Sequence, residues 1–426
     1  MSDFMALPLE RVRELHLDVS ERLARYCDRK LKINMARGVP SSEQLDLSNP
    51  MLELENYLAQ DGTDCRNYMG QQGLPEARAL FAPVLGLPAE QIVVDGNSSL
   101  ALMYDCISHA WRSGTCDSDT PWSAERTIAF LCPAPGYDRH FAICEAFGIR
   151  LIPITLHDDG PDLDEVSTWI QDPTVKGMWC VPKYSNPTGA VYSDEVIDFL
   201  AKMETAAPDF RLFWDDAYTL HHLTTKPVRI ANISERCARH GHANRPLVFA
   251  STSKMTFAGA GLALMGGSLE NIAWWLRHAS IRSVGPDKLN QLRHVRFLRD
   301  MEGLEALMDG HREILAPRFE AVQRVFERTL GEWQVARWTS PRGGYFISLN
   351  CLPGTARRVV ELARDSGVQL TAAGAAFPYG NDPLDSHLRI APSSPSIEDL
   401  DQAAQVISTS ILLAACECYF QANAAR

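Results

Sequence analysis

The chain has 426 residues, 41 Lys+Arg against 53 Asp+Glu for a formal net charge of −12, and is 46% hydrophobic and 22% charged. At roughly 150 residues per domain this length predicts about two or three domains with a core large enough to need no staples, and the balance excludes disordered and collagen-like chains. The negative charge excludes nucleic acid and an anionic membrane as main partners, so an anionic ligand must be met by a few local cations. The 11 cysteines are odd in number and lack C-x-x-C spacing, which reads as reduced thiols in a cytoplasmic protein. From Met1 onward no basic segment and apolar run of signal-peptide length opens the sequence. The most apolar stretch near the C-terminus, Val406 to Phe420, is short for a membrane span and broken by Ser408, Thr409, Ser410 and Glu417.

In chain order, Val12, Leu15, Val19, Leu23 and Tyr26 recur at helical spacing between charged residues, predicting an amphipathic helix over 9–26. The turn-rich stretch from Arg37 to Pro50 reads as a loop, with a domain boundary near residue 50. From about 92 to 267, seven short apolar runs alternate with helix-length segments: they begin at Ile92, Ile128, Leu151, Gly177, Arg211, Leu247 and Leu262. Nearly all-apolar strands separated by helices predict an α/β fold with a mainly parallel seven-stranded sheet covered by helices on both faces. A helical stretch over about 287–330 leads into a smaller α+β unit containing an amphipathic Thr355–Ser366 and the strand-like Leu388-Arg-Ile. The expected division is 1–50 as the N-terminal part of a small domain, 51–320 as a large domain and 321–426 as the C-terminal part of the small domain.

In open α/β sheets ligands bind beyond the carboxyl ends of the strands, so the residues after each apolar run carry the functional signal. The run at Ile92 ends in Asp95-Gly-Asn-Ser-Ser99, a polar turn suited to an anion at a helix N-terminus. The runs at Gly177, Arg211 and Leu247 end in Asn186-Pro-Thr-Gly189, Asp215-x-Ala-Tyr218 and Ser251-x-Ser-Lys254. With Tyr68-x-x-x-x-Gly73 upstream and Arg389 downstream, these ordered motifs resemble the pyridoxal 5′-phosphate (PLP) enzymes of fold type I, the aspartate aminotransferase superfamily, over nearly the whole chain. The segments around Tyr137, Lys254 and Lys288 are similar to a bacterial subgroup of aspartate aminotransferases, and a similar domain is fused to a winged helix-turn-helix in MocR-type regulators.

The resemblance implies a role for each position. Lys254 forms a Schiff base with the cofactor aldehyde and, released, moves a proton between the substrate Cα and the cofactor C4′. Asp215 keeps the pyridine nitrogen protonated so that the ring draws electrons from the carbanion. Asn186 and Tyr218 hydrogen-bond the phenolic oxygen, Tyr137 stacks on the ring, and Asn97, Ser98, Ser251 and Ser253 hold the phosphate. Tyr68 reaches the phosphate of a neighbouring subunit, which implies a homodimer with shared active sites. Arg389 clamps the substrate α-carboxylate in a bidentate fork, and Gly38 adds a backbone N–H. The partners implied are small molecules, an amino acid and a 2-oxo acid, with no metal.

One position departs from the family: Leu262 stands where an arginine usually meets the phosphate. Aspartate or glutamate to 2-oxoglutarate exchange is the first expectation, and Arg282, Lys288, Arg37 and Arg139 are the possible partners of a distal carboxylate. A broad or aromatic aminotransferase, a β-lyase or decarboxylase on the same scaffold, and a PLP-binding sensor that does not turn over remain as alternatives. His221-His222 lacks a third ligand at metal spacing, and Trp274-Trp275 reads as packing.

Overall fold

The computed structural model describes residues 4–68 and 70–424, so Met1, Ser2 and Asp3 of the N-terminal reading and Met69 within the Tyr68–Gly73 motif lie outside the described residues. The chain opens with α1 (Leu9–Asp28), β1 (Ile33–Asn34) and α2 (Ser42–Asp46), then α3 (Pro75–Leu85), β2 (Ile92–Val94) and α4 (Ser99–Ser113). Next come β3 (Ala129–Ala134), α5 (Asp138–Ala146), β4 (Arg150–His157), β5 (Gly160–Pro161), α6 (Leu163–Trp169), β6 (Val175–Cys180) and α7 (Asp194–Lys202). The middle of the chain closes with β7 (Arg211–Asp215), α8 (Ile233–Arg239), β8 (Pro246–Ser251), β9 (Ala263–Gly266), α9 (Leu269–Arg282) and α10 (Lys288–Leu298). The remainder is α11 (Met301–Leu330), β10 (Ala336–Trp338), β11 (Ile347–Cys351), α12 (Ala356–Asp365), β12 (Val368–Gln369), β13 (His387–Ile390) and α13 (Ile397–Ala424).

All seven expected runs are strands of one sheet, in the order β2-β9-β8-β7-β6-β3-β4-β5. The sheet has eight strands rather than seven, because β5, two residues long, folds back antiparallel on β4. The five strands β8, β7, β6, β3 and β4 run parallel, and β9 is antiparallel to both its neighbours. Strands β3, β6, β7, β8 and β9 are buried throughout, whereas β4 near the edge alternates buried and exposed residues, as one-sided cover requires. Successive side chains leave opposite faces. Met178, Cys180, Leu212, Trp214 and Val248 pack one way with α3 and α7, while Trp179, Phe213, Leu247 and Phe249 pack the other way with α4, α5 and α9. Trp274 and Trp275 are buried in the second of these cores.

A third core joins the two ends of the chain: α1 and β1 pack with the second half of α11, β10 to β13, α12 and α13. Its three-stranded sheet has the order β10-β11-β13, and β1 pairs in parallel with β12. The expected helical stretch over 287–330 is two helices, broken at Arg299, whose φ is 65°. Asp300 then caps α11 by accepting the Gly303 N–H at 2.9 Å. The 30-residue α11 serves both units, with Leu304 and Met308 in one core and Phe319, Val322 and Phe326 in the other. The stretch from Arg37 to Pro50 is not all loop: Ser41 and Gln44 form a capping box that starts α2. The apolar C-terminal run belongs to the 28-residue α13, which has the length and apolarity of a span, but 78% of its most apolar window is buried against the rest of the protein.

Candidate active site

The carboxyl ends of β6, β7 and β8 and the start of α4 surround a cavity of about 170 Å³. Asn186, Asp215, Tyr218, Ser251, Ser253 and Lys254 line it, together with Ser98 and Tyr137. Eight of the expected positions therefore meet at one place, although five different loops supply them. Ser99, Leu100, Val181 and Ala217 complete the wall.

Lys254 enters from the loop after β8, with Nζ 5.0 Å over the Tyr218 ring. Its carbonyl oxygen accepts hydrogen bonds from His221 Nε2 at 3.2 Å and from the Tyr345 hydroxyl at 3.3 Å, so the main chain that carries the amine is fixed from two sides. Burial pushes the ammonium below its usual range and the charge of Asp215 opposes that shift, which favours the neutral, nucleophilic amine relative to an exposed lysine. His221 is kept neutral by burial, the nearby His311 and Lys254 acting in the same direction. Its Nε2 therefore carries the proton given to the Lys254 carbonyl, and its Nδ1 is buried without a partner. Neither His221 nor Tyr345 was among the expected site residues; their partner is a main-chain atom, for which a sequence has no signature.

Asp215, at the end of β7, is 3% exposed. Its Oδ2 bonds His140 Nε2 at 3.0 Å, and the His140 ring stacks on Trp179 at 4.3 Å and 9°. Its Oδ1 is buried without a hydrogen-bond partner, as is Asn186 Oδ1. Buried acceptors left unmatched are costly, and these two belong to side chains that line the cavity. Asp216 belongs elsewhere: it lines a separate pocket with Lys183 and Trp214, and burial pushes its carboxyl up to about 6 against the pull of Lys183. Tyr137 is pushed up to about 12, by burial first and then by Asp215 and Asp138; burial also raises Tyr218 well above its ordinary value. Both phenols stay protonated at neutral pH and can donate hydrogen bonds.

Ser98 caps α4 while its hydroxyl makes no bond to the helix, so the helix start presents N–H groups and a free hydroxyl to the cavity. Ser253 Oγ donates to the Asn97 carbonyl at 3.1 Å. The Asn97 side chain itself turns away, its Nδ2 donating to the Gly259 carbonyl at 3.0 Å, and it does not line the cavity. Leu262 stands where the arginine is missing, and the pocket it lines with Gly96, Asn97 and Asn290 also holds Arg293, whose Nε is buried without a partner. The Leu262 N–H donates to Thr252 Oγ1 at 2.8 Å, and Thr252 and Thr256 hydroxyls lie 3.1 and 2.9 Å from His294 Nε2. His294 is lowered to about 4, chiefly by burial, so this network is neutral.

Arg389 on β13 stands beside the cavity, near enough for its charge to act on Tyr137 and Tyr218. Its cation sits 5.1 Å over the Phe346 ring. Gly38 packs on the same ring: a Cβ there would lie 2.5 Å from Phe346 Cζ, so only glycine lets this loop approach. Tyr68 lies outside the cavity with 72% of its surface exposed. Among the possible partners for a second carboxylate, Arg282 is taken by Asp95 and Asp105, and Lys288 is buried. Arg37 and Arg139 are exposed, with no ion pair among the described residues.

A lysine amine, an unpaired buried carboxylate oxygen, two phenols, and hydroxyls at a helix N-terminus fit PLP: aldehyde, pyridine nitrogen, phenolic oxygen and phosphate each find a matching group. The model of the family described as aspartate amino-transferase matches residues 7–423. An aspartate aminotransferase of Corynebacterium glutamicum is 45% identical over 98% of this chain and 97% of its own. The crystal structure of an aspartate transaminase from the same organism superposes with a TM-score of 0.95 over 98% of this chain and 99% of the other, at 45% identity. The α-aminoadipate aminotransferase of Thermus thermophilus, solved with N-(5′-phosphopyridoxyl)-L-leucine, shares the fold at a TM-score of 0.71 over 93% of this chain and 95% of its own, with 18% identity. Sheet order, cavity and matched length agree, and the chain belongs to the PLP-dependent aspartate aminotransferase family of fold type I.

Proposed function

We propose that the protein moves the amino group of L-aspartate or L-glutamate to a 2-oxo acid such as 2-oxoglutarate in a ping-pong cycle, with Lys254 as the Schiff-base lysine. The observation that carries this reading is that Lys254 and Asp215, whose Oδ1 is buried and unpartnered, line one cavity with Arg389 beside it. PLP, when bound, supplies the electron sink for the substrate carbanion. Lys254 would hold the cofactor aldehyde and carry on Nζ the proton that leaves the substrate Cα; Asp215 would keep the pyridine nitrogen protonated, with His140 orienting Asp215. Asn186 and Tyr218 bond the phenolic oxygen, Tyr137 covers the ring, and Ser98, Ser251, Ser253 and the Asn97 main chain surround the phosphate. Arg389 and the Gly38 main chain receive the α-carboxylate. The dicarboxylic preference is supported by the 45% identity with the C. glutamicum enzyme, and Arg37 and Arg139 are the cations open to the distal carboxylate.

The exposure of Tyr68 supports a homodimer in which it reaches the partner's phosphate, adding a hydrogen bond where Leu262 supplies none. The shared core of the two chain ends supports 1–50 and 321–426 as one small domain around the large 51–320. All 11 cysteines are free thiols, in keeping with a cytoplasmic location.

The test is the visible spectrum of the purified protein loaded with PLP. Yellow absorption that bleaches with L-aspartate and returns with 2-oxoglutarate is expected. A yellow protein that aspartate leaves unchanged overturns the substrate, and one that takes up no PLP overturns the site. Arg389→Lys loses the planar fork and is expected to raise the KM for L-aspartate about tenfold or more while the yellow absorption persists. An unchanged KM removes Arg389 from the clamp.

A further inference from the structure

Arg389 is paired with a carboxylate of its own chain. Its Nη1 donates to Asp138 Oδ1 at 2.8 Å, its Nη2 lies 3.4 Å from Thr371 Oγ1, and its Nε is buried with no partner. A bidentate fork needs two neighbouring N–H groups. The Nη1–Nη2 edge is one such pair, and Asp138 occupies Nη1. The pair also crosses between units, since Arg389 lies on β13 of the three-stranded sheet and Asp138 opens α5 on the large sheet. Asp138 is the first residue of α5, where the helix dipole attracts negative charge. It follows Tyr137, which lines the cavity, and precedes by two residues His140, which holds Asp215.

We infer that Asp138 is a resident counter-ion of Arg389 with which the substrate α-carboxylate must compete, so that it sets how tightly carboxylate ligands are held and how readily they leave. The inference rests on the reading of Arg389 as the carboxylate clamp. Two carboxylates on one largely buried guanidinium repel each other, so a ligand binds at the expense of the Arg389–Asp138 pair, and the pair re-forms as the product departs. Asp138 acts through Arg389 and is a positioning residue.

The experiment compares wild-type, Asp138→Asn, Asp138→Glu and Arg389→Lys holoenzymes for succinate affinity by calorimetry and for the kinetics of L-aspartate. Asp138→Asn keeps an acceptor oxygen but loses the charge, so succinate is expected to bind about three- to tenfold more tightly. The KM for aspartate falls in parallel and kcat does not rise; Asp138→Glu restores the wild-type affinity. Succinate affinity that is unchanged or weaker in Asp138→Asn, with the yellow absorption intact, overturns the inference. Arg389→Lys separates the two readings: weaker succinate binding there keeps the clamp whatever Asp138 does, whereas unchanged binding removes the clamp and this inference together. If Asp138→Asn fails to fold, Asp138→Ser is measured for the same tightening.

Discussion

Lys254→Ala is expected to lose the covalent attachment of PLP and at least about 10²–10⁴-fold in turnover, the range for removing a positioned general acid–base group. The expectation follows from how the side chain is held. The His221 and Tyr345 bonds to its carbonyl fix the main chain, Nζ stands over the Tyr218 ring, and burial lowers the ammonium so that the amine is available as nucleophile and base. No other lysine lines the cavity. The measurements are the near-ultraviolet absorption of the pyridoxyl group that stays on the protein after reduction with borohydride and denaturation, which retains the label only on a lysine-linked cofactor, and the rate of a single half-reaction with L-aspartate. Ordinary turnover in the alanine variant would exclude Lys254 from the chemistry.

Asp215→Asn is expected to cost about 10²–10³-fold in kcat, the scale on which one preorganised electrostatic partner acts in a closed site. The substitution preserves shape and leaves His140 a hydrogen-bonding neighbour, so it removes little besides the charge. What is lost is the anion of a side chain that lines the cavity with Oδ1 unpartnered, which in the proposed function would keep a ring nitrogen protonated. PLP uptake should continue, because the lysine and the phosphate cradle are untouched, while the bleaching with L-aspartate slows. A variant within threefold of wild type would mean that the ring nitrogen is not served by Asp215.

The cavity residues were legible in the sequence where a motif places several of them at the end of one buried strand. Asp215 with Tyr218, and Ser251 with Lys254, follow all-apolar runs that can only be interior strands of a covered sheet, and ligand sites lie at those strand ends. The choice of Asp215 over Asp216 also agrees with strand geometry, because neighbouring residues leave opposite faces and Asp216 lines a different pocket. What escaped were contacts between distant segments. His140 meets Asp215, and His221 and Tyr345 meet the Lys254 carbonyl, through separations that no local pattern encodes. The start of α2 was missed for another reason: Ser41 and Gln44 carry a capping-box signature that a turn-rich reading of the stretch overrode.

By itself, then, the sequence determined the class of fold and singled out Lys254, Asp215 and Arg389 as candidates, because buried strands and the motifs that end them are properties of consecutive residues. Only the tertiary structure decided which of these groups are already satisfied. It leaves Asp215 Oδ1 unpaired, turns the Asn97 side chain onto Gly259, ties the Leu262 N–H to Thr252 and places Asp138 on Arg389. Pairing depends on the positions of atoms brought together from different elements, and charge neutralisation in a low-dielectric site is a matter of distance, which chain order does not carry.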